Sequence, residues 1–547
     1  MQSQPVHASE PAQVTSGKTS GVFAAYLNGL FAANEADPSV AAEQFLRALA
    51  IDPTNPDLLR QALVASVMSG RPDALALARR LPENAVARML LGDEAARSGD
   101  WGQAAQLYSA LSPDGAIRLL RPLLLAWAQF GAGQTDAALS GLTPLLGDEH
   151  FGGVYALHAA MIADLAGRTS EAARLYRQAE QDDGSGSIGL ARIIASFEAR
   201  EGHGAAAMRR LSAAGQSEPA VRIALPALAR TLRERPVANA LDGITEAYFG
   251  LAAALHADDQ DPFATILLRL ALDLRPDFTS ARILAADILE GENHLEQAIA
   301  ILQPISPMDP LGAMVQVRLA ELTGRAGRTA DALKQLHDLA AAFPDSPLPD
   351  AEAGDILRAT GDFPGAVQAY SHAIARISHP SGTDWPLFYE RGVSYEQSHQ
   401  WTKAEADFET ALRLQPNQPV VLNYLGYSWA DRSEHLAQAR KMIDEAARQR
   451  PDDGAIIDSL GWVMLRQGET TQAVTTLERA VELDPEDATI NGHLGDAYWA
   501  AGRKTEATYQ WRRALTLNPL PGDAAKLEAK LHETTAQAAT VPARHIP

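Results

Sequence analysis

Apolar residues recur along this chain at the three-and-four spacing of amphipathic helices, and the helices come in pairs. In "INGHLGDAYWAAGRKTEATYQWRRALTLNP", Ile490 to Pro519, two helical stripes flank a turn at Gly502 and end at a proline. Moved back by 34 residues, the stretch meets "IIDSLGWVMLRQGETTQAVTTLERAVELDP". Leu494-Gly495 then falls on Leu460-Gly461, Gly502 on Gly468, Ala507 on Ala473, Ala514 on Ala480 and Pro519 on Pro485. A further step reaches Leu425-Gly426, Ala439, Ala446 and Pro451, with one extra residue in the turn. Before that come Gly392, Tyr395, Ala404, Phe408, Ala411 and Pro416.

Each part of this template has a physical reason. The glycine that follows the recurring leucine, as in Leu494-Gly495 and Leu460-Gly461, lets the first helix (A) approach its neighbour closely. Ala473 or Ala507 does the same for the second helix (B). Tyr395, Phe408, Tyr498 and Trp511 fill the space that remains. Gly468 and Gly502 occupy turns where positive φ is cheap only without a side chain. Pro485 and Pro519 end helix B, because proline cannot continue a helix beyond its first turn.

The pattern resembles the tetratricopeptide repeat. That resemblance implies an all-α, right-handed α-solenoid of stacked helix-turn-helix units, roughly a dozen of them. Weaker copies run upstream through Gly29, Ala41, Phe45 and Ala48; Gly92, Ala104 and Tyr108; Gly167, Ala172 and Tyr176; and Gly354, Ala366 and Tyr370. The expected organisation is a disordered leader over 1–20, a degenerate array over 21–212 and an irregular connector over 213–242. A middle array over 243–377, a well-matched array over 378–532 and a disordered tail over 533–547 follow. The connector is assigned from Pro219, Pro226 and Pro236, and "EQDDGSGSIGL" is expected to be a flexible link.

Composition narrows the function. The chain has 547 residues and a formal charge of −21, which argues against a phosphate-neutralising nucleic-acid surface or a polybasic lipid-binding patch. It has no cysteine, so thiolate metal sites, thiol nucleophiles and lipidation at a cysteine are excluded in the chain as given. No apolar run reaches membrane-spanning length; "LLRPLLLAWAQF" is broken by Arg121 and Pro122. The start carries no secretory signal. The expected location is therefore cytoplasmic if this start is native, and periplasmic or envelope-associated if a signal was trimmed.

Three motifs invite chemistry and lack its context. "GSGSIG" from Gly184 follows a helical stretch, not the strand a dinucleotide site needs. "GKTSG" lacks the earlier glycine of a phosphate loop. "HADDQD", His256 to Asp261, lacks calcium-loop spacing and reads as a solvated turn. No zinc spacing or base-nucleophile pair stands out among the 14 histidines. The expectation is a non-enzyme with no cofactor and no metal.

In the repeat family, certain helix A positions face a concave groove where peptides lie. Here they are Tyr389 and Glu396; Asn423, Tyr424, Tyr427 and Asp431; Asp458, Trp462 and Arg466; and His493, Asp496 and Trp499. This aromatic and polar row is expected to need no packing partner within the array, as a recognition surface would not. The alternative is a tightly wound array in which these side chains cover one another. A clamp for a chaperone's terminal carboxylate is not supported, since the groove offers Tyr389, Val393, Tyr424, Ala455 and Ser459 in place of Lys, Asn and Arg.

The phrases "LNYLGYSWADR", "DSLGW" and "HLGDAYWAAGR" resemble the C-terminal part of long bacterial tetratricopeptide proteins. Some of those are outer-membrane lipoproteins of the periplasm that act as scaffolds for carboxyl-terminal processing proteases. The resemblance implies a scaffold or adaptor for a protein or peptide partner, with a processing protease among the candidates. A structural subunit of an envelope complex, using the convex face or helix edges, is the second expectation. An enzyme built across repeats is the third.

Overall fold

The structure, a computed structural model, describes residues 16–182, 187–217 and 219–539. Thirty α-helices and one short 3-10 turn make up the regular structure among these residues. Most are joined in hairpins by short turns. The chain divides into two compact units, Met1–Glu352 and Ala353–Pro547, whereas the sequence placed array limits near 212, 242 and 377.

The small-to-large pairing of the template recurs within several of the hairpins. A Cβ added to Gly392 would overlap Phe408, one on Gly461 would overlap Leu477, and one on Gly495 would overlap Trp511. Gly29 with Phe45, Gly92 with Tyr108 and Gly354 with Tyr370 repeat the arrangement upstream. Phe45, Tyr108, Tyr370 and Phe408 are fully buried as a result, each contributing roughly 1.5–3 kcal/mol by leaving water. The inter-helix turns run through Gly361 (φ 81°), Gly468 (φ 84°) and Gly502 (φ 77°). The hairpin with the extra residue has a 14-residue helix A, Pro419–Arg432, and turns through two left-handed residues, Ser433 (φ 58°) and His435 (φ 44°).

Several expected irregular segments are helical. Residues 213–242, read as a connector, contain the helix Pro219–Arg230. Pro219 opens it at the position where a missing N–H is harmless, and Pro226 lies inside it. Val221, Ile223, Ala224 and Leu228 are buried there, in contact with Gly204–Ser217 and Gly312–Arg325 as neighbours. The segment read as leader is helical from Ser16 on, and the helix Pro521–Ala539 runs seven residues into the segment read as tail. Residues 1–15, 183–186, 218 and 540–547 lie outside the described residues, the stretch 183–186 belonging to the expected EQDDGSGSIGL link. "HADDQD" is a turn between helices as expected, with Asp259 left-handed.

The first unit contains a contact that the repeat template does not anticipate. Helix Ala240–Ala257 packs on Ile117–Gly131 and Gly152–Leu165, and Asp261–Leu274 packs on Pro56–Met68 and Ala85–Arg97. These four partners are the A helices of successive hairpins, so the later hairpin fills the inner face of the earlier array. Trp127 is fully buried, and a Cβ on Gly243 would collide with its indole. Trp127 Nε1 donates to His158 Nδ1 at 2.9 Å, and burial depresses the His158 pKa to about 3, keeping it a neutral acceptor. Asp93 accepts from Tyr108 Oη (2.7 Å) and Tyr248 Oη (2.8 Å), joining both layers. Burial raises its pKa to about 7 against the lowering effect of the two tyrosines. One apolar core consequently runs from Ala25 to Ile288. Beside the inserted hairpin lies a largely aliphatic cavity of about 620 Å³, bordered by Phe249, Ile283, Leu284 and Met314.

Two tests follow from this insertion. Gly243→Ala should cost roughly 1–3 kcal/mol by overpacking against Trp127, whereas Gly250→Ala, in the same helix with nothing within 4 Å, should be neutral or stabilising. Urea denaturation of both variants distinguishes them. The raised Asp93 pKa means the folded state holds its proton longer than the unfolded chain. Its contribution is therefore most favourable below the ordinary value of 3.8 and declines as pH rises towards 7. Asp93→Asn should gain stability relative to the parent progressively between pH 4 and 7, measured as the difference between their melting temperatures across that range.

Candidate functional site

Every sequence-derived groove residue lies on an A helix of the second unit. Tyr389 and Glu396 are on Trp385–Gln397, and Asn423, Tyr424, Tyr427 and Asp431 are on Pro419–Arg432. Asp458, Trp462 and Arg466 are on Gly454–Arg466, and His493, Asp496 and Trp499 are on Ala488–Ala500. Capping fixes the register of the last two helices: Asp453 accepts from the Ile456 amide (3.2 Å) and Asp487 from the Ile490 amide (2.8 Å).

Five of the twelve meet. Tyr427, Asp431, Trp462, His493 and Asp496 line a pocket of about 190 Å³, closed on one side by the terminal helix Pro521–Ala539. His493 stacks on Trp462 with ring centroids 4.1 Å apart and planes at 19°, and lies 6.1 Å from the Tyr427 ring. Its Nδ1 is 2.8 Å from Asp458 Oδ2. Burial disfavours charge on His493, but Asp458, and beyond it Asp496, outweigh that effect and raise its pKa above the ordinary 6.5. Asp496 receives Lys530 Nζ on both oxygens at 2.7 Å and the Trp511 indole N–H at 2.9 Å.

The other seven are placed as follows. Tyr389 and Tyr424 pack edge to face at 5.8 Å, with Phe408 5.2 Å from Tyr424. Burial, reinforced by Glu390, pushes the Tyr389 phenol up to about 12. Glu396 accepts from Ser428 Oγ at 3.0 Å. The Asn423 side-chain oxygen is buried without a partner among the described residues, as is the indole nitrogen of Trp462. Asp458 is buried behind the pocket wall. Arg466 is exposed and lies over Trp462, its guanidinium 5.6 Å from the ring centroid. Trp499 packs on Trp511 at 5.4 Å, with Lys504 Nζ 4.7 Å above its ring, and does not line the pocket.

The expectation that this row needs no partner within the array is therefore corrected. Asp458, Trp462, His493 and Asp496 cover and bond one another or the next helix. The reason is spacing: side chains one repeat apart on adjacent A helices come within hydrogen-bond reach, as Asp496 and Lys530 do across 34 residues. The sequence reading missed Thr489, Asp523, Lys526, Leu527 and Lys530, all of which line the pocket. All but Thr489 are on the terminal helix, beyond the last proline-terminated unit. Continuing the 34-residue count from Asp496 would have reached Lys530.

A stack of helix hairpins nested through small residues, with side chains from several A helices converging on one inner face, defines an α-solenoid repeat protein. The chain belongs to the tetratricopeptide-repeat superfamily. Models described as "Tetratricopeptide repeat" match residues 385–418 and 459–527, and one described as "Tetratricopeptide repeat-like domain" matches 246–384. The chain is 30% identical over 162 residues to TPR repeat-containing protein PA4667 of Pseudomonas aeruginosa, covering 29% of this chain and 26% of that protein. It is 37% identical over 79 residues to bacteriophage adsorption protein A of Escherichia coli, covering 14% of this chain and 8% of that protein. Each match thus spans about a quarter or less of the relative's length. The crystal structure of yeast Tom70 aligns over 95% of this chain and 97% of that one at 14% identity, with a TM-score of 0.34.

Among the described residues no His, Asp and Glu group of three is placed as a metal site, and no helix is long and apolar enough to cross a membrane.

The His493 pair sets a pH dependence. Because its folded pKa is raised, its stabilisation is fully present below the ordinary 6.5 and is lost as pH rises through the folded value. Hydrogen exchange in Gly454–Arg466 and Ala488–Ala500, corrected for intrinsic rates, should be slower at pH 6 than at pH 9. His493→Gln should remove that difference and cost roughly 1.5–3 kcal/mol at pH 6, as for a charge-assisted hydrogen bond.

Proposed function

We propose that this protein is a non-catalytic scaffold that holds a protein or peptide partner along the inner face of the hairpins spanning 385–530. One observation carries the proposal: five candidate side chains from three different A helices converge on a single pocket in an array whose inner face is not filled by an inserted hairpin. Rigid helices present these side chains with little freedom to lose on binding, which is what gives a solenoid surface its affinity. Pairing within the wall supports this reading, because a ligand meets side chains already oriented by Asp458, Asp496 and Lys530. A processing protease as the partner rests on the resemblance of the C-terminal block alone.

The assembly-subunit reading has an observation of its own. Phe23, Leu27 and Phe31 share one face of the first helix and are 62%, 46% and 69% exposed. An apolar stripe of that kind suits contact with another protein.

Site-specific photo-cross-linking separates the two. A photoreactive residue at Asp431 in the groove should form an adduct with one defined protein in the source cells, lost when Tyr427→Glu is added. The same probe at Tyr509, exposed on helix B, should form none. Adducts from Phe31 or Tyr509 with none from Asp431 would favour assembly and defeat the groove reading.

A further inference from the structure

We propose that the pocket beneath the terminal helix receives one cationic side chain, lysine or arginine, from an extended partner segment. This rests on the groove reading above.

The charges lining the pocket are almost all committed. Asp496 holds Lys530, and Asp523 holds Lys526 at 2.9 Å. His493 faces Asp458. Asp431 alone among the lining carboxylates makes no ion pair with a described residue. Its hydrogen bond is through the main chain, whose carbonyl accepts from Arg466 Nη2 at 3.2 Å, and Arg466 spends a second contact on the Ser433 hydroxyl. The pocket thus offers an open, exposed carboxylate next to the Tyr427 ring, one helical turn away on the same helix.

Three alternatives fit less well. A small-molecule ligand generally requires about 300–1,000 Å³, and this pocket, at about 190 Å³, has room for a single side chain. An acidic side chain would approach Asp431 while both lysines are already neutralised. An apolar side chain would cover the Asp431 carboxylate and leave it unpaired, which is costly. A cation gains both an ion pair and the negative face of an aromatic ring. Trp462 is 8% exposed and its indole nitrogen is sealed from solvent, so this ring gives the pocket wall its shape and no hydrogen bond.

The test is selection of a random dodecapeptide phage library on the full chain, run in parallel on Asp431→Lys and Asp431→Asn. Asp431 is exposed, so both variants should retain the parent's circular dichroism and melting temperature. Peptides enriched on the parent should share Lys or Arg at one position and protect Pro419–Arg432 from hydrogen exchange. They should bind Asp431→Asn at least tenfold more weakly, and selection on Asp431→Lys should replace the basic residue with Asp or Glu. Peptides that protect the same helix but carry no basic preference would overturn the cation assignment and leave the groove reading standing. Enrichment of peptides that protect only B helices, or no enrichment, would overturn both.

Discussion

The structure depends on one packing constraint: a residue without a side chain on one helix facing a large ring or branched chain on the next. Gly392 with Phe408, Gly426 with Ile443, Gly461 with Leu477 and Gly495 with Trp511 repeat it through the second unit. The backbone of helix A then becomes the floor on which the side chain of helix B lies. Because interiors are packed like organic crystals, each such pair fixes the distance between two axes within narrow limits. Repetition converts a local distance into an architecture, and the inner face follows from it.

The same device is used once over a long range. Gly243 seats the Trp127 indole, so the hairpin Ala240–Leu274 can press against the A helices that lie between Pro56 and Leu165. Within the first unit this consumes the surface that a solenoid would otherwise present. The buried Asp93 bound to Tyr108 and Tyr248 shows the cost of bringing a polar group there, since burial lifts its pKa to about 7. An inner face can thus be structural or available for recognition, depending on whether the chain itself occupies it.

Local features of this design were legible in the sequence. The glycine-to-alanine interval, the glycine turns and the terminating prolines act over a few residues, so they identified the hairpins and placed all twelve groove residues on A helices. Proline misled where it opened a helix, at Pro219, because proline is harmless in a first turn. The insertion of Ala240–Leu274 was not legible, since Trp127 and Gly243 fit the repeat pattern equally well without meeting. Nor was the pairing within the groove: Asp458 and His493 each read as free until the A helices are brought side by side. Lys530 was missed for a simpler reason: the terminal helix opens on Pro521-Gly522 and carries no later glycine of the kind by which units were recognised.

Pairing within a wall changes what the remaining groups can do. Asp496 and Asp458 are held by Lys530 and His493, so their charge is spent on shape and they contribute little selectivity. The stacked His493 and Trp462 likewise set a rigid surface. On the proposed groove reading, selectivity would pass to the few groups left uncommitted, because leaving such a group unpaired on binding costs more than a matched contact gains. Asp431, at the exposed end of its helix, is the group in this pocket with that freedom. A repeat surface can therefore be both rigid and selective when most of its polar side chains satisfy each other and one does not.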